Sequence, residues 1–135
     1  MYSSAKGAVA ECNHVFIKGN NLNERFENLG ENSKFYIGEI GFGIGINFLT
    51  TCKSWLNHTK QNQVLEFYSF DKYLFRLSDF KTLNVSCPDL KEYISELERN
   101  YPRNIQGAQK ISLFGGRIIL NLIIGEIDNT QEYIK

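Results

Sequence analysis

The sequence predicts an α/β fold built on a parallel sheet, and three observations carry that prediction. Two short apolar runs, Phe35 to Ile40 and Val64 to Phe70, end on glycine or on aspartate. A stretch with helical spacing of apolar residues separates them, and more helix-like sequence separates the second run from two later apolar runs. Strand, helix, strand, helix, strand is the pattern of a parallel sheet, because parallel strands need a long crossover and a helix usually supplies it.

The elements follow in order. Residues 1–34 lie ahead of the first apolar run, and 35–135 carry the alternating elements. Phe35-Tyr36-Ile37-Gly38-Glu39-Ile40 has the near-continuous apolar character of a buried strand. From about Gly45, Ile46, Leu49, Cys52 and Leu56 recur at helical spacing, with Trp55 adjoining that face. Val64 to Phe70, closed by Asp71, reads as the second strand. Ser78 to Leu83 predicts a short helix. Cys87-Pro88-Asp89 opens a stronger one through Leu90, Tyr93, Ile94 and Leu97, with proline in its tolerated first-turn position. Lys110 to Phe114 and Arg117 to Ile124 flank Gly115-Gly116, whose freedom at positive φ suits a tight hairpin.

Composition narrows the function classes. Hydrophobic residues make up 42% of the 135, and aromatics 13%, which is enough apolar surface for one core. Basic and acidic residues number 15 each, so no overall field draws the chain to nucleic acid or anionic lipid. No apolar run approaches the roughly 20 residues that span a bilayer, and Met1 to Ala10 lack the pattern of a secretion signal. Cys12, Cys52 and Cys87 are odd in number and widely spaced, which fits reduced thiols of a cytoplasmic protein and offers no metal site. With only Pro88 and Pro102 and no biased linker, the chain reads as one unit.

Chemistry concentrates in Glu39-Ile40-Gly41-Phe42-Gly43-Ile44-Gly45-Ile46-Asn47, a G-x-G-x-G turn between the first strand and first helix. Glycines there let the backbone approach a ligand, and free N–H groups at the helix start favour a carboxylate or phosphate. A bare glycine turn is common, so the strand before it and the helix after it are the context that matters. Asp71, ending the second strand, is placed to accept hydrogen bonds from both hydroxyls of an adenosine ribose. The spacing departs from the dinucleotide pattern at Ile46 and Phe48, and Glu39 two positions ahead of the first glycine favours a methyltransferase over a nicotinamide enzyme.

Those motifs, with His14 to Leu22, Arg25-Phe26, Ser69-Phe70-Asp71-Lys72, Gly115-Gly116-Arg117 and Leu122-Ile123-Ile124-Gly125-Glu126, resemble the methyltransferase domain of the MnmC family. That family makes 5-methylaminomethyl-2-thiouridine in tRNA. The resemblance implies a class I, Rossmann-like methyltransferase sheet that uses S-adenosyl-L-methionine to methylate an aminomethyl group on a wobble uridine of tRNA. Gly41, Gly43 and Gly45 would shape the cofactor loop, with Glu39 and Asn47 flanking it. Asp71 would bind ribose, and Glu126, in the place of the family's usual aspartate, would lie near adenine. It also implies a sheet truncated after the third strand, with a β-hairpin, because the family's Asp-Gly-Phe segment facing the acceptor is not found. No residue present is assigned a catalytic role.

Further expectations attach to this reading. A strand at Phe35 to Ile40 without a neighbour on one side would leave an apolar edge open to self-association. Tyr68, Tyr73 and Phe75 near Lys72 and Arg76 read as packing against helices rather than as an RNA patch. His14 and His58 are assigned no catalytic role and read as structural or exposed. Two other functional readings stand beside the methyltransferase: a folded remnant that is not an enzyme, and a nicotinamide-binding half-domain.

Overall fold

The computed structural model describes residues 16–41, 45–72, 76–102 and 107–125. Helix α1 (Leu22–Glu27) leads into strand β1 (Lys34–Ile40), helix α2 (Ile46–His58) and strand β2 (Val64–Asp71). Helix α3 (Leu77–Ser86) follows, then a 3₁₀ turn (Pro88–Leu90), helix α4 (Lys91–Asn100), strand β3 (Gly107–Leu113), a second 3₁₀ turn (Phe114–Gly116) and strand β4 (Ile118–Ile124). The strands form one sheet in the order β1-β2-β4-β3, parallel across β1, β2 and β4 and antiparallel between β3 and β4. The expected parallel α/β sheet with its hairpin is therefore present, and among the described strands β1 stands at one end of the order.

Handedness explains where the helices lie. A strand, crossover and parallel strand are joined right-handedly in nearly all sheets. Two such steps in the same direction, β1 to β2 and β2 to β4, put both crossovers on one face. The burial agrees. Leu65, Phe67, Leu113, Ile118, Leu120 and Leu122 are at most 1% exposed and join Phe48, Leu49, Cys52, Trp55, Phe80, Leu83, Ile94 and Leu97 in one core. By the strand register, the other face carries Tyr36, Ile40, Glu66, Tyr68, Lys110 and Asn121. Tyr36 is 61% and Ile40 75% exposed.

Within the core, Phe48 meets Phe67 edge-on at 5.0 Å between ring centroids, and Phe26 meets both Phe35 and Trp55 at 5.0 Å in the same manner. Each such pair adds about 0.5–1.5 kcal/mol beyond its buried area. Phe26 thus ties α1 to both β1 and α2. At the amino-terminal end of the parallel strands, the buried Gln63 amide donates to the carbonyls of Leu29 (3.1 Å) and Gly30 (2.9 Å), while its oxygen accepts the Lys60 N–H at 2.8 Å. Arg117 Nη2 donates to the Thr59 carbonyl at 3.0 Å at the same end. These bonds fasten the loops beneath the sheet.

Some sequence expectations shift. The helix predicted over Ser78 to Leu83 extends to Leu77–Ser86. Leu56 is only half-buried, and Phe48 and Trp55 carry the α2 contact instead, because α2 is enclosed by the sheet, α1 and α4 rather than lying on one surface. Phe114 leaves the strand for the turn, at φ 53, followed by Gly115 at φ 66 and Gly116 at φ 89. Tyr68 lies on the face opposite the helices rather than against one, while Tyr73 and Phe75 fall outside the described residues. Cys52 and Cys87 are free and buried, and Cys12 lies outside the described residues.

Two substitutions test this packing by urea denaturation. Phe67→Ala should lower stability by about 3–5 kcal/mol, since a large aromatic is removed from a closed core. Gln63→Ala should cost about 2 kcal/mol through the carbonyls it leaves behind.

Candidate functional site: a crevice at the strand ends

In an open parallel sheet, the carboxyl ends of the strands and the loops that leave them form the natural ligand crevice. Here the strand ends are bonded past their regular limits, Gly41 N–H donating to the Phe70 carbonyl at 2.6 Å and Gly125 N–H to the Asp71 carbonyl at 2.9 Å. Around them, Ile40, Gly41, Phe70, Asp71, Lys72 and Gly125 line an open cavity of about 140 Å³. Asp71 Oδ1 accepts the Lys72 N–H at 2.7 Å, which turns the carboxylate at the rim of that cavity.

The glycine turn begins and ends in left-handed backbone. Gly41 has φ 87, and a Cβ there would meet nothing within 4 Å, so the space over it is open. Gly45, at φ 82, caps α2 and starts the helix with its first N–H groups unsatisfied by side chains. Gly43 lies outside the described residues, as does Glu126.

Behind the turn sits a half-buried carboxylate. Asn47 Nδ2 donates to Glu39 Oε2 at 3.2 Å, and Ser69 Oγ to Glu39 Oε1 at 3.5 Å, linking β1, α2 and β2. Burial pushes the Glu39 carboxyl up to about 7, against the two hydrogen bonds, which favour the ionised form, and with help from the nearby Asp71 charge. Perturbed groups in a crevice mark candidate functional positions.

The structure thus gathers Glu39 and Asn47 in one clamp, and Gly41 and Asp71 in one cavity beside it. Ser69 was missed by sequence reasoning. Its signal was period two: Ser69 precedes Asp71 by two residues on the same strand face and stands directly opposite Glu39 in the register. His58 lies away from this end, its Nδ1 2.8 Å from the Ser54 carbonyl and its Nε2 3.6 Å from Glu27, as a structural residue at a helix end.

With this geometry in hand, the relatives are informative. A protein of Marinobacter nauticus named tRNA 5-methylaminomethyl-2-thiouridine biosynthesis bifunctional protein MnmC is 39% identical over 130 residues, covering 94% of this chain and 21% of that protein. The chain's relatives are MnmC proteins. Those of Hydrogenovibrio crunogenus and Legionella pneumophila are 37% and 34% identical, covering 94% and 99% of this chain. The chain spans about one fifth of the length of these MnmC relatives. Among solved structures, MNMC2 of Aquifex aeolicus superposes with a TM-score of 0.70 over 95% of this chain and 36% of its own, at 18% identity, a likeness of fold. No protein-family model matches the chain. Among the described residues, no helix is long and apolar enough to cross a membrane.

The Glu39 carboxyl makes a pH prediction whose sign is fixed. Its ordinary value is 4.5 and its folded value about 7, so between the two the folded chain holds a proton that the unfolded chain has lost. Stability should therefore fall as pH rises through that window. Glu39→Gln should flatten this part of the profile and raise the melting temperature at alkaline pH, as read by thermal unfolding across a pH series.

Proposed function

We propose that this chain is the donor-binding part of an S-adenosyl-L-methionine-dependent methyltransferase that completes the methylaminomethyl group of a wobble uridine in tRNA. The observation that carries this reading is the meeting of Gly41 and Asp71 in one cavity at the carboxyl ends of β1 and β2, beside the Glu39 clamp. The names of the MnmC relatives, which specify 5-methylaminomethyl-2-thiouridine biosynthesis in tRNA, support the acceptor.

The residues fit the donor in three respects. Open space over the left-handed Gly41 lets a ligand reach the backbone where any side chain would intrude. The Asp71 carboxylate at the rim suits two vicinal ribose hydroxyls. The start of α2 at Gly45 offers N–H groups and the positive end of the helix dipole to the donor's carboxylate. Glu39 acts from behind, holding Asn47 and hence the first turn of α2 against β1 and β2. When bound, the donor supplies a methyl group on a sulfonium, already a good leaving group. What the protein must add is a dry, oriented pocket and a neutral amine in line with that carbon, which is a matter of placement more than of acid–base chemistry.

Calorimetry should show S-adenosylhomocysteine binding more tightly than NAD, and Asp71→Ala weakening it by about 1 kcal/mol or more, through loss of a charged acceptor. Tighter binding of NAD would point to a nicotinamide half-domain, and no binding of either to a nonenzymatic remnant. For the acceptor, this chain can replace the matching segment in the Marinobacter relative. The hybrid should transfer labelled methyl to tRNA from cells lacking the enzyme, and the Asp71→Ala hybrid should lose most of that transfer. A folded, donor-binding hybrid with no transfer would count against the tRNA assignment.

A further inference from the structure

The start of α2 is fastened by a carboxylate. Its cap residue is Gly45, and no side chain caps its first N–H groups. What reaches this turn is the Glu39 side chain, which accepts the Asn47 amide at Oε2 (3.2 Å) and the Ser69 hydroxyl at Oε1 (3.5 Å). Asn47 is the second residue of α2, Ser69 is fully buried on β2, and Glu39 is the penultimate residue of β1, so one carboxyl joins three elements beneath the glycine turn. An ionised carboxylate only accepts hydrogen bonds and can take both donors at once. A protonated one cannot. With its proton on Oε2, it meets the Asn47 N–H donor to donor. With the proton on Oε1, Ser69 can turn its hydroxyl round to accept, but the Asn47 bond falls from charge-assisted to neutral, about half as strong. In either arrangement the tie to α2 weakens.

We propose that donor binding at this crevice requires the ionised Glu39 clamp, and that uptake of a proton there loosens the first turn of α2 and weakens the donor's hold. Asn47 and Ser69 are then positioning residues, acting on the donor through Glu39 and the turn. The inference rests on the donor reading above, since the N–H groups of that turn are the ones offered to the donor's carboxylate. Burial raises the Glu39 carboxyl to about 7, which puts the change near neutrality. The charged group facing it is Asp71, on the same side of β2, which raises it further. The first turn of α2 holds no acidic residue, residues 41–46 hold no titratable one, and Ile124 and Gly125 at the near end of β4 carry no charge. Folding and donor binding thus favour opposite forms of one acid. Binding releases a proton wherever Glu39 holds one.

Calorimetry with S-adenosylhomocysteine should show affinity falling about tenfold from about pH 8 to about pH 6, the ratio set by a required ionised group that titrates near 7. In buffers of different ionisation enthalpy, the heats should show a proton released on binding at the acid end. Glu39→Gln should bind weakly and alike at both pH values, because its amide has one oxygen for two donors, and this flat profile also accounts for any titration of the ligand. Ser69→Ala removes a bond that favours the ionised form, so it should move the midpoint of the profile to higher pH. A packing role alone would leave the midpoint in place. Without any ligand, hydrogen exchange of the Leu49 to Thr51 amides, corrected for intrinsic rates, should show less protection at the lower pH in the wild type and low protection at both in Glu39→Gln. Affinity that ignores pH, or binding that releases no proton, would overturn the proposal, as would equal protection at the two pH values. Protection that responds to pH in a chain that never binds S-adenosylhomocysteine would instead refute the donor reading and leave the latch as a property of the turn alone.

Discussion

The handedness of the strand–helix–strand crossover governs most of what this chain displays. Because β1, β2 and β4 follow one another in a single direction across the sheet, right-handed connections must all fall on the same side. The core is then a helix layer on one face. The parallel strands also point their carboxyl ends toward the same rim, so Glu39, Ser69 and Asp71 arrive together although 30 residues separate Glu39 from its serine partner. Among the described residues, the same rule leaves the face that carries Tyr36, Ile40 and Tyr68 without a crossover helix.

The two ends of the parallel strands are built for different tasks. Below, hydrogen bonds from the buried Gln63 and from Arg117 close loops onto the sheet. Above, Gly41 in left-handed conformation and the Asp71 carboxylate border open space, with the half-buried Glu39 behind the turn. Burying Glu39 opposes stability wherever it is ionised, because two hydrogen bonds do not replace the water it has lost. A leucine would pack there at lower cost. At the base of the glycine turn Glu39 instead holds Asn47, and with it the first turn of α2, in one position.

Much of this was legible in the chain itself. The 3.6-residue spacing placed α2 and α4, alternation placed β2, and Gly115-Gly116 placed the hairpin; β1 was found as an apolar run and expected to be buried, whereas its Tyr36 and Ile40 are exposed and none of its residues is fully buried. Gly41, Gly45 and Asp71 stood out as candidates because positive φ and a strand-end carboxylate demand particular residue types at particular spacings. The reading stopped where one-dimensional pattern stops. Leu56 matched the helical spacing but is left half-buried by the elements that enclose α2, and Phe114 matched a strand but was taken by the turn.

What only the tertiary structure decided is the set of relations between strands. Ser69 reaches Glu39 through its register, and a one-residue slip would have turned it to the other face. The upward shift of the Glu39 carboxyl depends on how much solvent the packed turn excludes, which no local pattern encodes. Tyr68 lies on the helix-free face because the direction of strand order, not its own neighbours, settles which side the crossovers take. The sequence by itself determined which segments form strands and helices and where the glycine turn between them falls, because those depend on near neighbours along the chain. The fold alone determined which distant residues share a rim, a face or an edge, because those depend on how the strands are ordered and aligned.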